Sequence, residues 1–113
     1  MAENIIKNKS FAFALNIIKV SRNIAASKNE YVLSKQLLRC GTSIGANVRE
    51  AINAQSKNDF ISKMSIALKE AGECEYWLEL LEESDYLRDI QLMHDCKEIN
   101  RLLAAIVKSS KHS

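Results

Sequence analysis

The sequence predicts an all-α protein, an antiparallel up-down-up-down four-helix bundle forming a single domain over residues 1–113. Three observations carry that reading. The chain has no proline and only three glycines, so little punctuates it into strands and tight turns. Four stretches repeat apolar residues at offsets of three and four, the period of one helical face. The joints between them are short and polar, which makes antiparallel neighbours the economical packing. At 113 residues the chain can build one modest core but not two.

The first helix is expected over residues 10–27, with Ser10 as a candidate N-cap. It carries two apolar stripes: Phe13, Ile17, Val20 and Ile24, then Phe11, Ala14, Ile18, Ser21 and Ala25. Together they cover about half the circumference, wider than the ~100° stripe of an ordinary surface helix. Such a helix is either central in the monomer or meets another subunit. Lys19, Arg22, Asn23 and Ala26 are left for solvent.

The second helix is expected over residues 31–54 and sorts into three stripes. Leu33, Leu37, Cys40, Ile44, Val48 and Ala51 form an apolar centre. Gly41, Gly45 and Ile52, with Leu38 at the margin, form one flank; Gln36, Arg39, Ser43, Asn47 and Glu50 form the other. A segment with three such faces meets several neighbours, so this is an inner helix. Each glycine costs about 1 kcal/mol against alanine in a helix interior, and their spacing admits a close neighbour. A kink at Gly41-Thr42-Ser43 is the alternative; the unbroken phase of the apolar offsets favours a continuous helix.

The third helix starts after Ser56, a cap for orphan N–H groups, with Asp59 favoured by the helix dipole. Phe60, Met64, Ala67, Ala71, Cys74, Leu78 and Leu81 follow 4-3-4-3-4-3 offsets, a coiled-coil-like seam ending near Ser84-Asp85. Ile66 and Trp77 lie to one side of it, Ile61 and Leu68 to the other. Glu70, Glu73, Glu75, Glu79, Glu82 and Glu83 make the polar side. The fourth helix is expected from Tyr86 or Arg88 to Lys108, burying Leu92, Cys96, Ile99, Leu103 and Ile106.

Hydrophobic residues make up 47% and charged residues 27%, which argues for a folded globular chain and against disorder. No apolar run approaches the ~18 residues of a membrane span, and the N-terminus lacks a secretory apolar core, so a cytoplasmic location and no membrane partner are expected. The net charge of +2 is unevenly placed: residues 1–57 carry +6 and residues 58–113 carry −4. That asymmetry either pairs helices within the fold or leaves a basic face for an anionic partner.

No catalytic constellation is legible, and no cofactor is expected. Cys40, Cys74 and Cys96 lie on apolar stripes of three different helices without paired ligand spacing, and His94 lies off its helix's stripe, so the thiols read as small hydrophobes. No Glu-x-x-His pair of a di-iron bundle occurs, and no glycine-rich phosphate loop. The polar flank of Gln36, Arg39, Ser43, Asn47 and Glu50 must hydrogen-bond if it lies beside a core. It is either a register-setting network between helices or subunits, which is favoured, or a recognition surface. Lys19, Arg22, Lys35 and Arg49 are the candidate nucleic-acid contacts. With few aromatics for stacking, contact would be to phosphates and largely sequence-independent. The same charges could instead pair with glutamates of the third helix in neighbouring chains.

The segment from Ser34 through Gln36-Leu37-Leu38-Arg39-Cys40-Gly41-Thr42-Ser43-Ile44-Gly45-Ala46-Asn47-Val48-Arg49-Glu50-Ala51 resembles the four-helix-bundle family of rRNA intervening-sequence proteins. So do Phe11-Ala12, Ser56, Asp59-Phe60-Ile61, Lys63, Ile66-Ala67-Leu68-Lys69-Glu70-Ala71 and Tyr76-Trp77-Leu78. Cys40, where the family often has serine, and Gly72 depart from the pattern. The resemblance implies a ring-like homo-oligomer of five subunits. It also implies a distant relation to the accessory variability protein of diversity-generating retroelements, which binds nucleic acid and a reverse transcriptase. The family name records gene location and does not establish rRNA binding. The expectation is therefore a non-catalytic oligomeric scaffold or adaptor for RNA, DNA or a nucleic-acid enzyme. The alternative is a protein-binding module without nucleic-acid affinity.

Overall fold

Each apolar repeat is realised as a helix. In the computed structural model, which describes residues 2–113, α1 spans Ala2–Lys28, α2 Val32–Ile52, α3 Lys57–Glu83 and α4 Ile90–Lys111. No strand occurs among the described residues, and no helix is long and apolar enough to cross a membrane. Helix α2 runs unbroken through Gly41 and Gly45, as the phase of its apolar offsets requires.

The helix ends show why the joints fall where they do. Ser56 Oγ accepts from the Asp59 N–H at 3.1 Å, capping α3, and Asp89 caps α4 by accepting from the Leu92 N–H at 3.0 Å. At the other end of α3, Asp85 takes a left-handed conformation (φ 64°). The Tyr86 N–H then returns to the Leu81 carbonyl at 2.9 Å and the Asp85 N–H to Glu82 at 3.1 Å, the paired bonds of a Schellman stop. Tyr86 and Leu87 fold back against the core instead of opening the next helix. Helix α4 consequently starts at Ile90, later than Tyr86 or Arg88.

Cross-helix contacts pair rising with falling residue numbers. Gly41 faces Ile17 and Gly45 faces Ser10; Arg39 meets Glu70 and Glu73 while Glu50 meets Lys63; Asn100 meets Glu75 while Lys57 reaches Ser113. Neighbouring helices are therefore antiparallel. Each packs on the two beside it, with no diagonal pairing among the described residues. The molecule measures 46 × 20 × 19 Å. A 27-residue helix is about 40 Å long, so α1 and α3 run almost its full length.

The core follows the repeats closely. Met64, Ala67, Ala71, Cys74, Leu78 and Leu81 of α3 are buried, as are Leu37, Cys40, Ile44, Val48 and Ala51 of α2. Each fully buried large side chain contributes about 1.5–3 kcal/mol of transfer free energy. Four further expectations need correcting. Helix α1 begins at Ala2, because Ile6 extends the repeat Ser10, Phe13, Ile17, Ser21, Ile24 back by one turn and is itself fully buried. Ser10 is therefore no cap: it lies inside the helix and its hydroxyl donates to the Lys7 carbonyl at 3.2 Å. On α4 the stripe closes on Val107, and Ile106 is only partly buried. Buried Ser21 belongs to the inner repeat of α1, not to its second stripe.

Candidate functional site

Helix α2 positions most of the candidate residues, and its polar flank faces α3. Arg39 is the hub: Nη1 lies 3.0 Å from Glu70 Oε2, Nη2 donates to Glu73, and Nε reaches Gln36 Oε1 at 3.4 Å. Trp77 Nε1 donates to the same Glu73 carboxylate at 3.3 Å. One turn from the far end of α2, Glu50 pairs with Lys63 at 3.5 Å. Ser43 and Asn47 instead bond along their own helix, to the carbonyls of Arg39 (2.7 Å) and Ser43 (2.9 Å). Two members of the predicted set thus cross to α3, one orients Arg39, and two satisfy themselves on α2.

The opposite flank faces α1. A Cβ on Gly41 would sit 2.7 Å from Ile17 Cγ2, so the missing side chain is what lets the two helices approach. Gly45 is looser, with the Ser10 carbonyl 3.5 Å from the same hypothetical atom. Along the outer edge of this seam the helices part into a cleft of about 290 Å³, lined by Phe11, Ala14, Leu15 and Ile18 of α1 and by Thr42, Gly45, Ala46 and Arg49 of α2. Phe11 and Leu15 are 51% and 48% exposed. The second stripe of α1, read from Phe11, Ala14 and Ile18, is therefore uncovered in the monomer. Leu15 escaped the stripe pattern because it lies about 40° beyond Phe11, on the outer edge of the second stripe and opposite the core.

The four basic candidates are all exposed, and among the described residues none forms an ion pair. Lys19 and Arg22 lie a turn apart on the outer side of α1. The α1–α2 register set by Ile17/Gly41 and Ser10/Gly45 puts Lys35 level with Arg22. Arg22 and Lys35 share one end of the α1–α2 face, whereas Lys19 lines a cleft on the α1–α4 side together with Asp89 and Asp95. Arg49 stands apart, fourteen residues along α2 from Lys35, or about 21 Å. Its guanidinium lies over the Phe11 ring, 5.0 Å from the centroid, a cation–π contact at the rim of the apolar cleft. Nothing in the sequence distinguished Arg49 from the other three; only the α1–α2 register does.

The three cysteines are free thiols, each fully buried. The fold brings them close enough that Cys40 and Cys96 both act on the Cys74 thiol, while the Cys40 and Cys96 sulfurs lie 3.5 and 3.6 Å from the Leu37 and Ala71 carbonyls. Its partnership with Cys74 holds the Cys40 pKa below the usual thiol value. The hydrogen bonds to Cys40 and Cys96, together with burial, push that of Cys74 up. His94 is exposed and takes no part. Among the described residues, no group of three or more His, Cys, Asp or Glu side chains is arranged to hold a metal ion.

These features can be set against known proteins. Comparison with curated proteins returns no match. A solved structure from Bacteroides thetaiotaomicron, a protein of unknown function from the S23 ribosomal protein family, is similar in fold and sequence. Its TM-score is 0.92 at 50% identity, covering 96% of this chain and 99% of that one. The model of the 23S rRNA-intervening sequence protein family matches residues 2–106. A helical bundle organised on the Gly41/Gly45 helix, matched over nearly all its length, places the chain in the 23S rRNA-intervening sequence protein family.

Proposed function

We propose that the protein is a non-catalytic, self-associating helical scaffold that holds nucleic acid by its phosphates. The observation that carries this reading is the division of labour among the basic residues. Arg39 and Lys63 occupy glutamates at the α2–α3 seam, whereas Lys19, Arg22 and Lys35 are exposed and, among the described residues, form no ion pair. The pairing that would neutralise the basic half inside one chain is therefore not made at these positions. Arg49, seated over Phe11, belongs with the apolar cleft and its role is in assembly.

Self-association follows from the cleft. A stripe containing half-exposed Phe11 and Leu15 is a surface that soluble monomers seldom leave open, and a second copy of this chain is the occupant the reading assigns. A closed ring, with five subunits as the family resemblance implies, would repeat these basic side chains in every subunit. Weak individual phosphate contacts then act together. An enzyme acting on nucleic acid is a further partner, and the cytoplasm is the expected setting.

The test is a salt titration of RNA and DNA binding. Log affinity should fall linearly with log salt, with a slope near −0.9 per phosphate contact, or about −3 for one subunit's three side chains. A Lys19, Arg22, Lys35 to alanine variant should bind more weakly with a shallower slope, and Arg49→Ala should leave the slope unchanged. Assembled protein that binds neither RNA nor DNA at low salt would replace this reading with a protein-binding module, for which the apolar cleft is the supporting feature.

A further inference from the structure

Tyr76 is the aromatic ring of α3 that faces away from the core. At 100° per residue it lies about 170° from the middle of the buried row that includes Met64, Ala71 and Leu78, and it is 55% exposed. The ring is nonetheless held. It meets the Trp77 ring edge-on, with centroids 5.4 Å apart and planes at 64°, and Trp77 Nε1 donates to the Glu73 carboxylate that Arg39 also grips. A side chain placed in advance loses less freedom when it docks. Glu79 and Glu83, one and two turns further along the same outward face, are exposed and, among the described residues, form no ion pair.

The α1–α2 cleft has the complementary character. Its lining is mostly apolar, with Phe11 and Leu15 half exposed; among the described residues Lys7 and Arg49 are the only charged ones that line it, and no carboxylate does. The Ser10/Gly45 register puts Lys7 and Arg49 level with each other, at one end. A cavity of about 150 Å³ holds a benzene ring, so the cleft, at about 290 Å³, has room for a phenol and its stem. The spacing of charge also agrees. Arg49 follows Ala46 by three residues and Thr42 by seven, the offsets at which Glu79 and Glu83 follow Tyr76. For a neighbouring α3 lying along α2, a ring seated beside either lining residue brings one of the two carboxylates level with Arg49.

We propose that Tyr76 of one copy seats in the α1–α2 cleft of the next, with Glu79 and Glu83 set against Lys7 and Arg49. This docking rests on the self-association proposed above and names the surface that fills the cleft. A second copy is the occupant because the outer side of α3 supplies the three things the cleft lacks: a fixed ring, charge of the opposite sign, and that charge at the matching offsets. Tyrosine and arginine at the centre of a contact are also the residues that most often dominate binding. The contact is heterologous, since ring and cleft lie on different sides of the bundle, and each added copy brings one of each. The outer side of α3 is not diametrically opposite the α1–α2 face, because each helix packs on the two beside it. Successive copies therefore turn, as a closed ring requires. Lys19, Arg22 and Lys35 do not line the cleft and stay outside the contact.

Sedimentation velocity on two variants, each altered on one side of the contact, tests it. Tyr76→Ser removes the ring, and Phe11→Ser with Leu15→Ser removes the cleft wall. Each should be monomeric with the helical circular dichroism of wild type. Mixed in equal amounts they should form one-to-one dimers and nothing larger, because the ring of the second variant and the cleft of the first are both intact. Charge gives an independent check should a serine variant fail to fold. Lys7→Glu with Arg49→Glu should dissociate the assembly, and adding Glu79→Lys and Glu83→Lys to the same chain should restore it. Wild type that sediments as a monomer overturns this docking together with the self-association it rests on. Oligomeric wild type with Tyr76→Ser equally oligomeric, serine variants that stay monomeric when mixed, or a charge reversal that is not rescued overturns the docking alone.

Discussion

The two flanks of α2 use opposite means to hold their neighbours. Toward α3 the helix presents long polar side chains, and the contact is closed by ions: Arg39 with Glu70 and Glu73, Glu50 with Lys63. Toward α1 it presents almost no side chain, and the contact is closed by approach, with Ile17 filling the space above Gly41. The first flank uses up its recognition chemistry inside the chain. The second grips tightly at depth and opens at its rim, where Phe11, Leu15 and Arg49 remain available. A close glycine contact saves width but leaves the side chains beyond it without cover. The uncovered apolar surface is therefore on the small-residue side, while the polar flank, richer in hydrogen-bonding groups, is spent on contacts within the chain.

The largest effect should come from refilling the close contact. Gly41→Val drives a branched side chain into Ile17, itself branched and fully buried, and should destabilise the fold by about 3 kcal/mol, the upper end of overpacking costs, read as a lower urea midpoint. Gly41→Ala should be milder, because helix propensity returns about 1 kcal/mol. A variant as stable as wild type would show that α1 and α2 do not depend on this approach.

Next in size is the effect on assembly. Under the proposed self-association, Phe11→Ser combined with Leu15→Ser should sediment as monomers where wild type does not, while helical content stays intact, because both side chains are half exposed in the single chain. An unchanged sedimentation coefficient would separate the cleft from the assembly surface. On the polar flank, Arg39→Ala should cost about 1 kcal/mol. The pair with Glu70 supplies most of that, since Glu70 is the least exposed partner, at 13%. The loss should shrink in high salt. A salt-independent loss would assign Arg39 a packing role instead.

The smallest effects distinguish the remaining glycines. A methyl added at Gly72 would meet nothing within 4 Å, and the residue lies on the exposed side of α3, so Gly72→Ala should stabilise by about 1 kcal/mol. Gly45→Ala meets Ser10 at ordinary contact distance and should gain a few tenths, staying within about 0.5 kcal/mol of wild type. Thermal melts of the three alanine variants should therefore rank Gly72 above Gly45 above Gly41.

What could be read from the one-dimensional pattern was the set of helices and the inner face of each. Offsets of three and four specify a helical face by geometry alone, so Met64 through Leu81 and Leu37 through Ala51 were legible as core, and the Ser56 cap was legible because capping is local. The start of α1 was less so, since the polar residues Lys7, Asn8 and Lys9 mask Ile6, whose burial depends on helices it meets only in three dimensions. The Schellman stop at Asp85 was hidden for the same reason: a left-handed aspartate leaves no mark in periodicity. What each candidate meets was decided by the fold. The helical period separates Arg39, on the polar flank, from Arg49, ten residues along the same helix, without saying what either one contacts. One faces the glutamates of α3 and the other the ring of Phe11, because helix register across a seam is set by packing between distant segments. The meeting of Cys40, Cys74 and Cys96 belongs to the same class of fact: each thiol's burial is written in its own helix, and their proximity is written only in the way the three helices are stacked.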